Sequence, residues 1–305
     1  MRLAALRRFA IAITVLNTLG HTILGFETSL AQLCVSAGTA YLTEIILELA
    51  SAWSERRRPA FLGGFLPLVN FLLPAHISGF AISMLLYAGD RLLPFVFAAT
   101  VAITSKALFV VTVKGRSRHF LNPSNTGLAA AVFLFPWVAI APPYHFTEDI
   151  TGIWDWGLPA LVVCTGTILN AFFTRKIPLI VSWLLAFAAQ AVIRHFLYET
   201  WLLGSLAPMT GLGFLLFTFY MVSDPGTTPV TTRGQIGFGV TLGLTYGVVV
   251  ALHIVFPMFI ALLTVCAARG LLLHVLNFRP AVARERSPAP AIAVTEPRGS
   301  RPAVL

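Results

Sequence analysis

The chain has 305 residues, of which 57% are hydrophobic and only 11% are charged, and it carries a formal net charge of +9. Soluble domains contain about 25% charged residues, so this composition excludes an ordinary soluble fold. The basic residues stand in short clusters between apolar segments, which is typical of the positive-inside rule and not of a nucleic-acid-binding surface. We therefore expect the lipid bilayer, and no nucleic acid, as a partner.

Apolar segments recur along the whole chain, and most approach the length of about 17 to 25 residues that a helix needs to cross a bilayer. We predict ten transmembrane spans with the approximate bounds 9–26, 28–52, 75–89, 93–113, 124–141, 157–173, 177–198, 204–222, 236–252 and 254–276. The segment 59–74 is apolar but contains Gly63, Gly64 and Pro67, so we predict that it is re-entrant or interfacial. The predicted fold class is an all-α polytopic membrane protein.

The predicted spans divide the chain into two halves. Five spans lie within residues 1–141 and five within residues 157–278, on either side of an extracytoplasmic loop at 142–156. Because an odd number of spans per half turns the second half upside down, we predict two inverted five-helix repeats. The tail 279–305 is rich in Pro, Ala, Arg and Ser and is expected to be disordered and cytoplasmic.

The charged residues indicate the orientation of these spans. Arg56, Arg57 and Arg58 follow the second span, and further basic clusters follow the fourth, sixth, eighth and tenth spans. Most acidic residues between spans, such as Asp90 and Asp155, fall on the other side. Basic residues accumulate on the cytoplasmic side of membrane proteins, so we predict that both chain termini are cytoplasmic.

Cysteine and histidine give no metal signature. The three cysteines, Cys34, Cys164 and Cys266, lie far apart in different apolar segments, and no CxxC pair occurs. The seven histidines are scattered and form no HExxH pattern. A structural zinc or iron–sulfur site held within one chain is therefore not expected, and we predict no metal ligands.

Two polar motifs with a central proline interrupt the apolar pattern, one in RHFLNPSNTGL and the other in FYMVSDPGTTP. Their candidate site residues are Asn122, Pro123 and Ser124 in the first, and Asp224, Pro225, Thr227 and Thr228 in the second. Proline disfavours helix in the preceding residue and frees backbone groups, which persist at membrane depth only beside protein or a wet cavity. We predict paired breaks in the two halves that form a binding site. Ordinary cytoplasmic turns are the alternative.

Glu44, Glu48 and Lys106 are candidate functional residues inside predicted spans, where charged residues are costly and usually functional. Glu44 and Glu48 are four residues apart in YLTEIILELA and share a helix face. Glu48 is close in sequence to the basic cluster at 56–58, so its side chain has the alternative of reaching toward the membrane surface. Lys106, in ITSKALFVV, has two alternatives: a structural pair with Glu44, or contact with an anionic ligand.

These motifs carry a resemblance to a known family. The stretch GFLLFTFYMVSDPGTTPVTTRGQIGFGVTLGLTYGVV resembles an "FMxTDP" motif, followed by small residues and a basic residue, in two redox pumps. They are the D subunit of the Rnf complex and the B subunit of the sodium-translocating NADH:quinone reductase. The stretch SKALFVVTVKGRSRHFLNPSNTGLAAAVF is similar to their lysine, glycine and "NP" segment, and AQLCVSAGTAYLTEIILELA to their second helix. The resemblance covers about residues 28–276, and the chain resembles the shorter UnbU-like branch, associated with enediyne biosynthetic clusters, more than it resembles the pump subunits.

The resemblance implies ten helices in two inverted halves, a location in the bacterial inner (cytoplasmic) membrane, and electron transport coupled to ion movement. It also implies redox or biosynthetic partner proteins and a cofactor site built from Lys106 and the two proline motifs. The pump subunits attach FMN through a threonine of an "SGAT" motif in an outer loop. The corresponding loop here, APPYHFTEDITGIWDWGLP, has no such motif around Thr147 or Thr151. The expected cofactor is therefore a non-covalent flavin, FMN or riboflavin, or a quinone.

Two other functions remain open at this stage. A small-solute or ion transporter with urea-transporter-like architecture would use the same broken helices, with Glu44 and Asp224 on the ion path. A membrane anchor for partner proteins would need no cofactor. The sequence motifs favour the first function, an electron-transfer subunit of an oxidoreductase complex in which the cofactor supplies the chemistry and the helices position it.

Overall fold

The computed structural model describes residues 2–113, 115–142, 146 and 149–285. Seven helices in the described part are long and apolar enough to cross a membrane, and a strongly bent pair of segments would make an eighth span. By this criterion of length and composition, the chain is a multi-pass helical membrane protein.

The helices are α1 Arg2–Leu19, α2 Leu30–Ser54, α3 Phe65–Leu85, α4 Leu93–Leu108, α5 Pro123–Leu134, α6 Trp154–Ile168, α7 Ile177–Tyr198, α8 Leu202–Leu206, α9 Leu212–Leu216, α10 Thr232–Ala251 and α11 Pro257–Glu285. Three of them continue as π-helical turns: α1 through Gly20–Leu24, α6 through Leu169–Thr174 and α9 through Phe217–Met221. Four short strands, β1 Leu86–Tyr87, β2 Val110–Val113, β3 Arg116–His119 and β4 Ala139–Ile140, form two antiparallel pairs, β1 with β4 and β2 with β3.

The largest difference from the predicted spans lies in the first half. Helix α3 begins at Phe65 and runs without interruption through Pro74, so the predicted start of a span at 75 is wrong. Residues 65–74 of the predicted re-entrant or interfacial segment 59–74 belong to this helix. A proline removes one backbone N–H from the helix ladder, so the carbonyl four residues earlier, that of Asn70, loses its usual donor. Helix α3 continues through this position despite the loss.

Three further predicted spans have different bounds in the structure. The span at 93–113 ends as a helix at Leu108, because the run Val110–Val113 is β-branched and pairs with β3 in a hairpin. The span at 124–141 is only a 12-residue helix, α5, followed by β4. The span at 204–222 is bent by 66° between Leu202–Thr210 and Leu212–Met221.

The C-terminal segment differs from the expected disordered tail in part. Helix α11 continues to Glu285, so residues 279–285 of the predicted tail are helical, while residues 286–305 lie outside the described part. Two contacts join this helix to the β2–β3 hairpin region. Asn277 Nδ2 donates to the Thr112 carbonyl at 2.6 Å, and a Cβ atom added at Gly270 would lie 2.1 Å from the Phe120 ring. The glycine therefore makes room for Phe120 against α11.

Small residues allow the main helix pairs to approach closely, as is common in membrane proteins. On α10, Gly239, Gly243 and Gly247 follow one another at four-residue intervals, and all three face α7. On α3, Gly79 lies against the backbone of Ala37 in α2, and on α5, Gly127 lies against α4. The helices of the pairs α7–α10, α2–α3 and α4–α5 thus approach closely because the glycines at their contacts have no side chain.

A chain of hydrogen bonds ties the first three helices together through His76 of α3. Thr14 Oγ1 donates to the Ala10 carbonyl at 2.7 Å, so it accepts a hydrogen bond from His76 Nε2, also at 2.7 Å. The Tyr41 hydroxyl then donates to His76 Nδ1 at 2.5 Å. This pattern assigns the ring proton to Nε2, and it joins α2 to α1 through α3.

The two halves share features of helix packing. In the first half α2 packs against α3 and α4, α4 against α5, and α1 against α3; in the second half α7 packs against α10, α10 against α11, and α6 against α9. Both α1 and α6 end in a π-helical turn that is closed by a residue with positive φ, Gly25 or Arg175. The amide of that residue donates to a carbonyl five residues earlier in each case.

A glycine substitution on α10 tests the close α7–α10 contact. A Cβ atom at Gly239 would lie 2.7 Å from the Leu179 carbonyl and 2.8 Å from the Trp183 amide, whereas one at Gly237 meets nothing within 4 Å. We expect Gly239→Ala to lower the free energy of unfolding by about 1–3 kcal/mol through overpacking. Gly237→Ala, the matched control, should leave it unchanged or raise it by up to about 1 kcal/mol. Denaturant unfolding in detergent measures both, and equal values would contradict the packing argument.

Candidate functional site

The two proline motifs, predicted as parts of one site, meet at the end of the molecule where α1 begins. They line a cavity of about 560 Å³, which we call the vestibule. Its walls come from α1, α3, α4, the β2–β3 hairpin, the start of α5 and the loop 222–231, which we call the Asp-Pro loop. Six predicted site residues line it: Lys106, Asn122, Pro123, Ser124, Asp224 and Pro225.

Asn122 connects the two motifs. Its backbone is extended and it caps the N-terminus of α5, where its Oδ1 accepts from the Asn125 amide at 3.0 Å and from Ser124 Oγ at 3.1 Å. Pro123 occupies the first helical position, where its missing N–H has no consequence for the helix. Asn122 Nδ2 donates to the Met221 carbonyl at 3.2 Å, so the cap of α5 also binds the end of the segment that precedes Asp224.

Asp224 organises its own loop. One carboxylate oxygen accepts from the Gly226 amide at 2.9 Å, and the other accepts from Thr227 Oγ1 at 3.0 Å. Thr228 Oγ1 donates to the Asp224 carbonyl. Thr227 and Thr228 are buried and do not line the vestibule, so the structure places these two predicted site residues behind its wall.

Two basic residues that the sequence analysis did not select hold the Asp-Pro loop from behind. Lys176 is 2% exposed, and its Nζ donates to the Pro229 carbonyl at 2.7 Å. Arg269 Nη1 donates to the Thr227 carbonyl, also at 2.7 Å. Arg269 stands inside the apolar run of α11, and a charge in such a run is the signal that could have identified it. Lys176 had no comparable signal, because it sits between spans beside Arg175.

Lys106 and Glu44 form an ion pair between α4 and α2. Lys106 Nζ donates to both carboxylate oxygens at 2.6 and 2.7 Å, and the side chains are 19% and 14% exposed. Of the two alternatives for Lys106, the structural pair is present, while the same side chain lines the vestibule. Glu48 instead pairs with Arg57 and accepts from the Ala60 amide, which places it at the end of α2.

Positive charge predominates around the Asp-Pro loop. Burial lowers the pKa of Lys176 to about 8, the carboxylate of Asp224 opposes this effect, and the positive charges of Arg269 and Arg118 reinforce it. Lys176 precedes α7 and lies outside the membrane-spanning segments. Among these four groups three are basic and one is acidic. Such a cluster with low-dielectric surroundings attracts anions.

The hairpin contributes Arg118 and His119 to the vestibule. A Cβ atom added at Gly226 would lie 2.7 Å from His119 Nε2, so the glycine of the Asp-Pro loop makes room for this imidazole. Strand β3 is thereby brought against the loop. Neither hairpin residue was predicted as a site residue, because the sequence analysis assigned both to the basic connection between the predicted spans 93–113 and 124–141.

A second cavity of about 280 Å³ adjoins the vestibule, and we call it the inner chamber. It lies among α1, α3, α6 and the π-helical turn after α9, and its lining is mostly aliphatic. The two cavities share Phe9, Ile77, Ser124 and Tyr220. Phe9 and Tyr220 meet edge to face with 5.7 Å between ring centroids, and the Tyr220 hydroxyl lies 3.1 Å from Thr165 Oγ1.

Asn122 and Asp224, one from each proline motif, line the same cavity. The hydrogen bond from Asn122 to the Met221 carbonyl joins the two motifs directly.

Within the described residues, no group of three or more His, Cys, Asp or Glu side chains could hold a metal ion. Thr147, one of the two threonines of the outer loop, lies outside the described residues. No family model matches the chain, and no curated protein is significantly similar to it.

Removal of Glu44 tests the ion pair in the vestibule wall. Because Glu44→Gln leaves the partly buried Lys106 without its carboxylate, we expect the free energy of unfolding to fall by about 3 kcal/mol. The double variant Glu44→Gln/Lys106→Met should recover most of this loss. Glu55→Gln removes an exposed partner of Arg57 and should have little effect. Denaturant unfolding in detergent measures all three, and equal losses for Glu44→Gln and Glu55→Gln would contradict the assignment.

The buried amine of Lys176 predicts a pH dependence. Its pKa is about 8 in the folded protein and 10.5 ordinarily, so between these values the unfolded chain binds more protons than the folded one. Stability from this group therefore rises as pH increases from about 8 to about 10.5. Thermal unfolding across this range should show the rise in the wild type and lose it in Lys176→Met. Arg175→Gln, at the exposed neighbour, should retain it.

Proposed function

We propose that this protein is an integral membrane redox subunit that holds a flavin or a quinone non-covalently in the vestibule and passes electrons across or within the membrane. The observation that carries the proposal is that both proline motifs and Lys106 line one cavity. These are the elements that resemble the D subunit of the Rnf complex and the B subunit of the sodium-translocating NADH:quinone reductase. A bound flavin or quinone would supply the electron-transfer chemistry.

The residues of the vestibule fit such a group. The cavity of about 560 Å³ lies within the range of small-molecule sites, about 300–1,000 Å³. Arg118, His119 and Lys106 bring nitrogen atoms to its wall, and the excess of basic groups around the Asp-Pro loop favours a phosphate or a reduced, anionic ring. The hydrogen-bonding groups of Asn122 and Asp224 already have protein partners, so we assign these residues to the shape of the site.

The wider assignment belongs to the same proposal. We propose the bacterial inner membrane, cytoplasmic termini, and a vestibule open to the cytoplasm, where redox or biosynthetic partner proteins would reach it. The helix contacts support ten helical elements in two inverted halves. The contacts among α1–α5 follow the same order as the contacts among α6, α7, α8–α9, α10 and α11. The matching π-helical ends of α1 and α6 support it as well. Coupling to ion movement would follow from the same architecture.

The visible absorption spectrum of the detergent-purified protein tests the proposal. We expect flavin-like bands that pass into the supernatant after acid precipitation, or, in a colourless preparation, a quinone in the organic extract. Bands that remain in the pellet would indicate a covalent link and contradict the non-covalent site. A pure, folded protein with neither a flavin nor a quinone would contradict the redox function.

A substitution at Asp224 connects the spectrum to the site. Asp224→Ala removes the acceptor for the Gly226 amide and for Thr227, so the loop that forms the vestibule wall loses its shape. We expect cofactor content per protein to fall by about tenfold or more, which corresponds to about 1.4 kcal/mol of binding free energy. Glu48→Ala, on α2 and outside the vestibule lining, should leave it unchanged. Equal cofactor content in both variants would be evidence against the site.

A small-solute or ion transporter is the second candidate, and the contact between the vestibule and the inner chamber favours it. Cavities that follow one another into the membrane region suit a permeation path, with Glu44 and Asp224 at its charged end. Liposome flux measurements separate the candidates. A transporter should show flux in the wild type and lose it in Asp224→Asn. A cofactor-free membrane anchor, the third candidate, should show no flux in the wild type or in the variant.

A further inference from the structure

We infer that the vestibule and the inner chamber together bind one membrane-derived amphiphile, a molecule with a polar or anionic head group and a flexible apolar tail. The head group occupies the vestibule, and the tail passes Phe9 and Tyr220 into the inner chamber. This inference rests on the proposed function, because it names the class of ligand for the same site. Its physical basis is the difference in chemistry between two cavities that share four lining residues.

The vestibule suits a head group. Lys106, Arg118 and His119 line it, and Lys176 and Arg269 lie directly behind the Asp-Pro loop. Glu44 compensates the charge of Lys106, so the remaining excess of positive charge lies on the side of Arg118 and the loop. A carboxylate, a phosphate or the carbonyl of a ring would find donors there.

The inner chamber suits a tail. Its walls are formed mainly by aliphatic side chains of α1, α3 and α6, among them Leu16, Ala81 and Leu158. The polar side chains in its lining, Ser124, Thr165 and Tyr220, carry hydroxyls, and those of Tyr220 and Thr165 already lie within hydrogen-bond distance of each other. A polar ligand would lose its hydration in this chamber without regaining hydrogen bonds, whereas an alkyl or isoprenoid chain would gain contacts.

The chamber also reaches the lipid-facing surface. Val15 on α1 and Leu161 on α6 both line it, and they are 51% and 52% exposed, as residues at a membrane-facing surface are. We call the gap between these helices the α1–α6 seam. A tail longer than the chamber can extend through the seam into the bilayer, and a ligand can enter by the same route. A water-soluble cofactor would not enter through an opening to the lipid, so the seam favours a ligand that comes from the membrane.

Photolabelling tests the inference with a probe of defined structure. The protein, reconstituted in nanodiscs, is irradiated with a palmitate that carries a diazirine on its tail, and the labelled residues are mapped by mass spectrometry. We expect labels on chamber residues such as Leu16, Ala81 and Leu158. Excess unlabelled palmitate should remove them, and hexadecane, which has no head group, should remove them far less. Labels confined to exposed surfaces such as Leu185 would overturn the inference, as would equal competition by hexadecane.

Two variants examine the tail and head positions separately. Leu161→Trp narrows the α1–α6 seam and should reduce chamber labelling by about tenfold. Its control is Leu185→Trp, the same change at a leucine of α7 that is 67% exposed and lines neither the vestibule nor the inner chamber. This variant should have no effect. Arg118→Gln should weaken competition by palmitate and leave competition by hexadecane unchanged. If Leu161→Trp and Leu185→Trp reduce labelling equally, the seam is not the route of the tail.

The outcome is independent of the absorption spectrum. A protein that holds a flavin but shows no chamber labelling would retain the proposed redox function and contradict the amphiphile. A protein without flavin or quinone that labels in the chamber would contradict the redox function and retain the amphiphile.

Discussion

The hydrogen bond from the Asn122 amide to the Met221 carbonyl holds together the part of the molecule on which the vestibule depends. Each proline motif interrupts regular helix in an apolar region, and the backbone groups released there need partners. Asn122 meets this need twice, since it caps α5 with its oxygen and binds the second motif with its nitrogen. The hydrogen bond between the motifs therefore helps to fix the wall of the vestibule.

The same requirement explains the unusual position of the basic residues. Lys176 and Arg269 donate to carbonyls of the Asp-Pro loop that regular secondary structure would otherwise satisfy. Within the described residues, the positive charges of Lys176, Arg269 and Arg118 lie near the vestibule, and the carboxylate of Asp224 opposes them. The basic side chains that hold the Asp-Pro loop in place thus also give the vestibule a preference for anions.

Much of this arrangement could be predicted from the sequence, but the manner of its assembly could not. Hydropathy identified most helices, and proline chemistry identified the two motifs that line the vestibule. The continuity of α3 through Pro74 was not predictable, because a proline inside an apolar run predicts a helix end or a kink, whereas α3 continues on both sides of it. The hairpin was hidden because a β-branched run such as Val110–Val113 is as apolar as a membrane helix. Lys176 and Arg269 required knowledge of which carbonyls lie nearby.

The contacts of α11 with the hairpin region give the vestibule a mechanical connection to the far end of the chain. Asn277 is bonded to strand β2, and Phe120 fits into the space that Gly270 leaves on the same helix. Strand β2 is paired with β3, which carries Arg118 and His119. A displacement of α11 along or about its axis would therefore shift the basic rim of the cavity. The width of the entrance to the vestibule is thus coupled to the position of α11, a helix that does not itself line the cavity.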